Sequence, residues 1–318
     1  MTISIMIPTY NEQENVVPLS QNIVEVMSRD LPEYEYEIIF IDNFSTDNTR
    51  FHIETLCKEN PNIKAIFNAR NFGQFNSPFY GLCQTTGDCA ILMCADFQDP
   101  VDMIPKFVKE WEDGYKIVVG IKTTSKENGV MYFLRSCYYK AIKRFSDIEQ
   151  IEHFTGFGLY DKTFLDVLRG LDDPKPFLRG IVAELGFKRK DIEYEQQKRR
   201  AGKTKNNWAT LYDAAMLSFT SYTKIGLRFA TIIGFTLSGI SFIVAIVYLI
   251  LKLLFWNQFP MGTAPILIGV FFLGSMQIFF IGLVGEYILS INSKVVKRPL
   301  VVEEKRINIE PLSDCEKK

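Results

Sequence analysis

The sequence predicts an α/β fold: an N-terminal domain on a mostly parallel sheet, followed by a hairpin of two transmembrane helices. Three observations predict it. Residues 1–120 alternate strand-like and helical runs, which implies βαβ units. One of these runs, residues 89–94, is apolar without interruption, as in a parallel strand covered on both faces. Composition then shifts sharply near residue 226, and residues 229–251 and 263–285 carry no charged side chain.

In chain order, residues 3–7 form the first strand, 15–27 a helix, 37–41 a strand and 49–59 a helix. Residues 65–67 make a short strand, 75–84 a helix, 89–94 the buried strand, 105–113 a helix and 116–120 a further strand. Residues 163–169 are helical, with Asp161 placed to cap them. Residues 125–147 have apolar positions at helical spacing (Val130, Phe133, Leu134, Cys137, Tyr138) beside Lys126, Arg135, Lys140, Lys143 and Arg144. Such a basic amphipathic helix suits either an anionic membrane surface or an ordinary surface position. Residues 207–225 read as a juxtamembrane amphipathic helix, with Trp208, Leu211, Tyr212 and Phe219 on one face.

A bilayer core needs about 20 apolar residues per helix, so both uncharged stretches qualify as spans within residues 226–291. Lys224, Arg228, Lys294, Lys297 and Arg298 flank their outer ends, against Lys252 alone in the connection. The positive-inside rule therefore puts the domain of residues 1–206 and the tail of residues 292–318 in the cytosol, so that both termini lie inside a multi-pass protein of the cytoplasmic membrane. Gly234, Ser238, Gly239, Gly269 and Gly274 allow close helix packing and favour a homo-oligomer. Nothing resembles a cleavable signal peptide, because the chain opens on a strand with no basic leader.

The formal net charge of −1 offers no field for nucleic acid. Six cysteines without Cys-x-x-Cys spacing read as reduced thiols, and two histidines exclude a histidine-rich metal site.

Ligands of open α/β sheets bind beyond the carboxyl ends of the strands. Three polar turns lie there: Pro8-Thr9-Tyr10-Asn11-Glu12, Asp42-Asn43-Phe44-Ser45-Thr46-Asp47, and Ala95-Asp96-Phe97-Gln98-Asp99-Pro100. Asp96, Gln98 and Asp99 are oxygen donors suited to Mg²⁺, which commonly bridges one or two carboxylates to a substrate's phosphates. The same spacing suits a helix-capping turn, since Asp99 precedes Pro100, and both readings stay open. Jointly the turns suit a nucleotide: an aromatic for the base, carboxylates for ribose hydroxyls and a metal for phosphates. Downstream, the basic run around Arg199, Arg200, Lys203 and Lys205 can hold a lipid phosphate at the bilayer surface.

These residues resemble family 2 glycosyltransferases of the GT-A fold. Among them the chain is similar to the polyisoprenyl-phosphate glycosyltransferases, the group of dolichol-phosphate mannose synthase and bacterial undecaprenyl-phosphate sugar transferases. The resemblance rests on the three turns together with Arg70-Asn71-Phe72-Gly73, Arg199-x-x-Gly202-x-Thr204-Lys205, Gly285-Glu286-Tyr287 and Arg298-Pro299. It implies inverting, metal-dependent transfer of a sugar from a nucleotide sugar, by family frequency a UDP-sugar, to a membrane polyprenyl phosphate for cell-envelope glycans. Pro8, Tyr10, Glu12, Asp42, Asn43 and Asp96 would line the nucleotide pocket. Asp96 and Gln98 would hold Mg²⁺ or Mn²⁺ and the diphosphate, helped by Asp99. Arg199, Arg200 and Lys205 would meet the lipid phosphate.

Three positions depart from the family pattern. Its Asp-x-Asp is Cys94-Ala95-Asp96, its Asp-Asp-Gly is Asp42-Asn43-Phe44, and its Gly-Asp-Phe-Arg-Leu has glycine at both functional positions, Gly156 and Gly158. The missing base does not forbid catalysis: a phosphate monoester has a second pKa near ~6 and attacks as a dianion. Two other readings remain, a catalytically impaired membrane scaffold and a small polysaccharide synthase. Two spans are few for an export channel, and no Gln-x-x-Arg-Trp element occurs.

Overall fold

The computed structural model describes residues 1–123, 151–171, 173–174, 176–197, 199–200, 263–295 and 298–310, with scattered helical positions between 232 and 254. The elements expected over 125–147 and 207–225 fall outside the described residues, as does Lys205.

Strands β1 (Thr2–Thr9), β2 (Glu35–Asp42), β3 (Ile63–Asn68) and β4 (Cys89–Leu92) alternate with helices α1 (Val16–Asp30), α2 (Thr49–Glu59) and α3 (Gly73–Cys83). Then follow α4 (Ile104–Glu112), β5 (Ile117–Lys122), β6 (Phe154–Asp161), α5 (Lys162–Gly170), α6 (Leu178–Glu184) and β7 (Arg189–Tyr194). A 33-residue helix α7 (Thr263–Val295) leads to β8 (Glu303–Ile307). The described strands form one sheet in the order β7-β5-β6-β4-β1-β2-β3-β8.

The centre of the sheet is parallel, as expected, because its strands are covered on both sides. Ile3, Ile5, Ile7, Ile38, Phe40 and Ile91 pack under α1, α2 and α4. Met6, Ile39, Ile41, Ala90 and Leu92 pack under α3, α5 and α6. Six of the eight described strands run the same way, as expected of a mostly parallel sheet, and two run against them. β6 runs antiparallel between β4 and β5, and β8 runs antiparallel along β3. The sheet is therefore mixed. The segment expected to be only a C-terminal tail supplies its last strand. Asp161 caps α5, as expected, its carboxylate accepting from the Thr163 N–H at 2.9 Å.

Glu37 is buried at the start of β2, where its carboxylate accepts from Lys64 Nζ at 2.6 Å, the Thr86 N–H at 2.8 Å and the Ser4 hydroxyl. Burial alone would raise its pKa. The Lys64 and Ser4 hydrogen bonds outweigh burial and hold the carboxyl below its ordinary range. Glu37 therefore contributes stability above the unfolded value of about 4.3, and that contribution is lost as pH falls through the lower folded value. Removing one partner of a buried pair costs about 3 kcal/mol. Glu37→Gln is expected to be less stable by about that amount at pH 7, and its melting temperature should fall less than the parent's between pH 7 and 3.

In α7 the stretch Phe272–Leu289 is long and apolar enough to cross a membrane, and almost none of it is covered by the rest of the protein. Among the described residues it is the one helix of that kind. The first expected span, residues 229–251, lies mostly outside the described residues, and its described positions are helical.

Candidate active site

β1 lies between β2 and β4, with Thr9 in register with Asp42 and Met6 with Leu92. Their carboxyl ends therefore open side by side. Each following turn holds a non-glycine residue in the left-handed region: Asn11 (φ 56°), Phe44 (φ 69°) and Phe97 (φ 62°). Asparagine tolerates this conformation, whereas a bulky phenylalanine pays on the order of 1–2 kcal/mol. The geometry explains one departure noted in the sequence: Phe44 stands where the family pattern has glycine, at a φ that glycine adopts freely.

The strain is held by cross-turn hydrogen bonds. The Asn11 N–H donates to Ser45 Oγ at 2.8 Å, the Thr46 N–H to Asn11 Oδ1 at 2.8 Å, and the Glu12 N–H to Thr49 Oγ1 at 2.8 Å.

Asp96 is buried at the end of β4. Its Oδ1 accepts from the Gln98 N–H at 3.1 Å. Its Oδ2 accepts from Arg199 Nε at 3.1 Å and Nη2 at 2.9 Å. The same guanidinium lies 3.7 Å from Glu12. The basic segment is laid along the turn, with the Gln197 N–H donating to the Gln98 carbonyl at 3.3 Å and the Arg200 N–H to the Asp96 carbonyl at 3.3 Å. Arg200 also sits over the Phe97 ring at 5.2 Å. Arg199, expected at lipid phosphate, is thus the counter-ion of Asp96 and Glu12 in this state. Burial raises the Glu12 pKa, against its Asn15 hydrogen bond and the charge of Arg199.

The other expected residues are committed to scaffold contacts. Asp99 accepts from the Cys94 N–H at 2.9 Å and the Tyr194 hydroxyl at 3.0 Å, and burial raises its pKa. It therefore closes the turn below Asp96. Asn43 accepts from the Phe72 N–H at 2.8 Å and donates to Asn71 Oδ1 at 3.0 Å and the Gly73 carbonyl at 3.2 Å. This pins the Arg70–Gly73 loop beside the crevice. Asp42 is fully buried and paired with Arg50 at 2.7 Å. Pro8 and Tyr10 are half-buried along the β1 end.

Cys94 opens to the crevice but sits on its floor. The surrounding protein and the Asp99 and Asp96 carboxylates push its thiol well up, so it stays protonated. A neutral thiol is a poor partner for Mg²⁺. Among the described residues no three His, Cys, Asp or Glu side chains converge as a metal cage.

Gly158 admits no side chain, because a Cβ there would lie 2.4 Å from the Val118 carbonyl oxygen of β5. Gly156 has φ 106°, where L side chains are strained. The two family positions for an acid and an arginine are thus built here for glycine. Gly158→Ala must part β5 from β6, an overpacking cost of about 3 kcal/mol, measurable as a lower denaturant midpoint.

Sequence reasoning did not find Arg50 or Tyr194, and it named Asn71 only as part of the Arg70–Gly73 motif. Arg50 had one available signal, its place in the first turn of the helix that follows the Asp42 turn.

Residues 4–169 match the glycosyl transferase family 2 model. The chain is 30% identical over 300 residues to a prophage bactoprenol glucosyl transferase homolog of Escherichia coli K12, covering 94% of this chain and 97% of that protein. It is 31% identical over 300 residues to the bactoprenol glucosyl transferase of Shigella phage SfX, with the same two shares. Among solved structures it is similar to mannosyl-3-phosphoglycerate synthase from Rubrobacter xylanophilus, with a TM-score of 0.50 and 16% identity over 68% of this chain and 71% of that one. That likeness speaks for the fold alone.

Proposed function

Because the chain belongs to glycosyl transferase family 2, we propose that it moves one sugar from a UDP-sugar to a membrane polyprenyl phosphate at the cytosolic face, with inversion at the anomeric carbon. The observation that carries this reading is the Glu12, Asp96 and Arg199 cluster at the ends of β1 and β4, with a basic segment laid over it. The relatives named bactoprenol glucosyl transferases span nearly the whole chain, which supports a polyprenyl phosphate as acceptor.

Asp96, with Gln98 beside it, would hold Mg²⁺ or Mn²⁺. The donor set fits: one carboxylate, with the remaining positions left to phosphate oxygens and water, is how Mg²⁺ is commonly bound. When bound, the cation supplies charge to the departing nucleoside diphosphate.

The chain's own residues carry the rest. Arg199 neutralises Asp96 and Glu12 until donor arrives, and its fork then suits a phosphate bidentately. Arg200 adds a second cation at the same edge. Asp99 and Tyr194 keep the turn in place from below, and Asn43 holds the Arg70–Gly73 loop. The acceptor dianion needs no general base, in accord with glycine at 156 and 158. Catalysis then consists of positioning and charge stabilisation.

The sheet also bears on topology. β8 follows α7 and pairs with β3, so both ends of the membrane segment return to the same domain. A chain that crosses in α7 must then cross an even number of times, which supports the hairpin with residues 229–251 as the other span. Lys252→Cys is expected to react with an impermeant maleimide from outside intact cells; labelling only after lysis would remove the hairpin.

The test of function is purified protein in detergent with undecaprenyl phosphate, Mg²⁺ or Mn²⁺, and a panel of UDP- and GDP-sugars, with products read by mass spectrometry. Metal-dependent addition of a single sugar to the lipid is expected. Polymer formation, or nucleotide binding without turnover on any donor, would overturn the proposal.

A further inference from the structure

Asp42 and the C-terminal strand are joined by a single side chain. Asp42 Oδ2 accepts from Arg50 Nε at 2.7 Å and from the Ser45 N–H at 3.0 Å. Its Oδ1 is buried with no donor. Arg50 Nη2 donates to the Asn68 carbonyl at 2.7 Å, and Nη1 donates to Glu304 Oε2 at 2.8 Å. The guanidinium also lies over the rings of Phe44 at 5.2 Å and Phe67 at 5.5 Å. All three guanidinium nitrogens are therefore committed, and the last of them to a residue 254 positions away.

Glu304 sits at a bulge of β8 with its side chain 54% exposed, and the residues around it hold its backbone in place. Its strand is laddered to β3, and the Ala69 N–H donates to the Val302 carbonyl at 2.9 Å. Lys305 pairs with Glu54 at 2.9 Å, and Asn308 Nδ2 donates to the Cys57 and Ile63 carbonyls at 2.7 and 2.9 Å. Glu303 accepts from the Tyr80 hydroxyl at 2.8 Å.

We propose that β8 is a working part of the donor pocket: Glu304, acting through Arg50, positions Asp42 so that its unpaired Oδ1 receives an N–H or O–H of the donor's nucleoside. Arg50 and Glu304 are positioning residues, and this role rests on the nucleotide-pocket reading of Asp42. Without Glu304, one arm of a partly exposed guanidinium is released. Nε, its one contact with the carboxylate, is then less firmly placed, and a misplaced acceptor costs affinity for donor before it costs chemistry.

The test uses the full chain in detergent with undecaprenyl phosphate and the UDP-sugar that turns over in the panel. Glu304→Gln is expected to raise the donor KM five- to tenfold and to weaken UDP binding by calorimetry to the same degree. Its kcat and acceptor KM should change less than twofold. Glu304→Asp should recover part of the loss. Lys305→Ala removes an ion pair of the same strand without touching Arg50, and should leave donor KM unchanged. Equal donor effects from Lys305→Ala and Glu304→Gln would overturn the proposal, since a loosened strand would then be the cause. An unchanged donor KM in Glu304→Gln, alongside a raised one in Asp42→Asn, would overturn it too. Unchanged donor KM in Asp42→Asn itself would instead remove the pocket reading beneath it.

Discussion

Asp96→Asn is expected to lower kcat by a hundredfold or more, about 10²–10³ as for removal of one preorganised charge-stabilising group, while the protein stays folded. The side chain keeps its shape and its acceptor oxygen, so the Gln98 N–H retains a partner. What it loses is the negative charge that would hold a cation and that now holds Arg199 at 2.9 Å. Product formation by mass spectrometry, with a melting curve on the same preparation, checks this. Near-parental turnover in a folded variant would exclude Asp96 as the cation's carboxylate.

Arg199→Ala is expected to produce two effects of opposite sign. Turnover should drop at least tenfold, because the diphosphate and the acceptor phosphate lose a bidentate cation. Binding of Mn²⁺ without donor should tighten, because the guanidinium no longer occupies Asp96 Oδ2 or stands 3.7 Å from Glu12. Isothermal titration with Mn²⁺ alone and a steady-state assay separate the two. Weaker Mn²⁺ binding together with unchanged turnover would mean that Arg199 only closes the segment over the turn.

The parallel half of the sheet was legible because its strands are buried on both faces, which leaves apolar runs such as those of β1 and β4. β7 and β8 were not. Arg189, Asp191 and Glu193 in β7, and Glu304 and Lys305 in β8, are exposed charged residues at the two sheet edges, and such stretches read like a solvated run. β6 was hidden by Gly156 and Gly158, residues that weaken a strand signal; here a positive φ requires the first and the close approach of β5 requires the second.

The same division holds at the candidate site. Turn residues announce themselves by composition, so Glu12, Asp42 and Asp96 could be named from the sequence. The partner of Asp96 comes from a distant segment: Arg199 reaches it across 103 positions. Local patterning carries no information about such pairs.

The placement of β8 also sets an order of events during synthesis. β3 is made early, yet its outer edge stays unpaired until translation passes residue 307, a wait on the order of tens of seconds at about 5–20 residues per second. The domain that emerges first is completed last, and a truncated product lacking residues 303–318 would expose a bare strand edge, a template for aggregation.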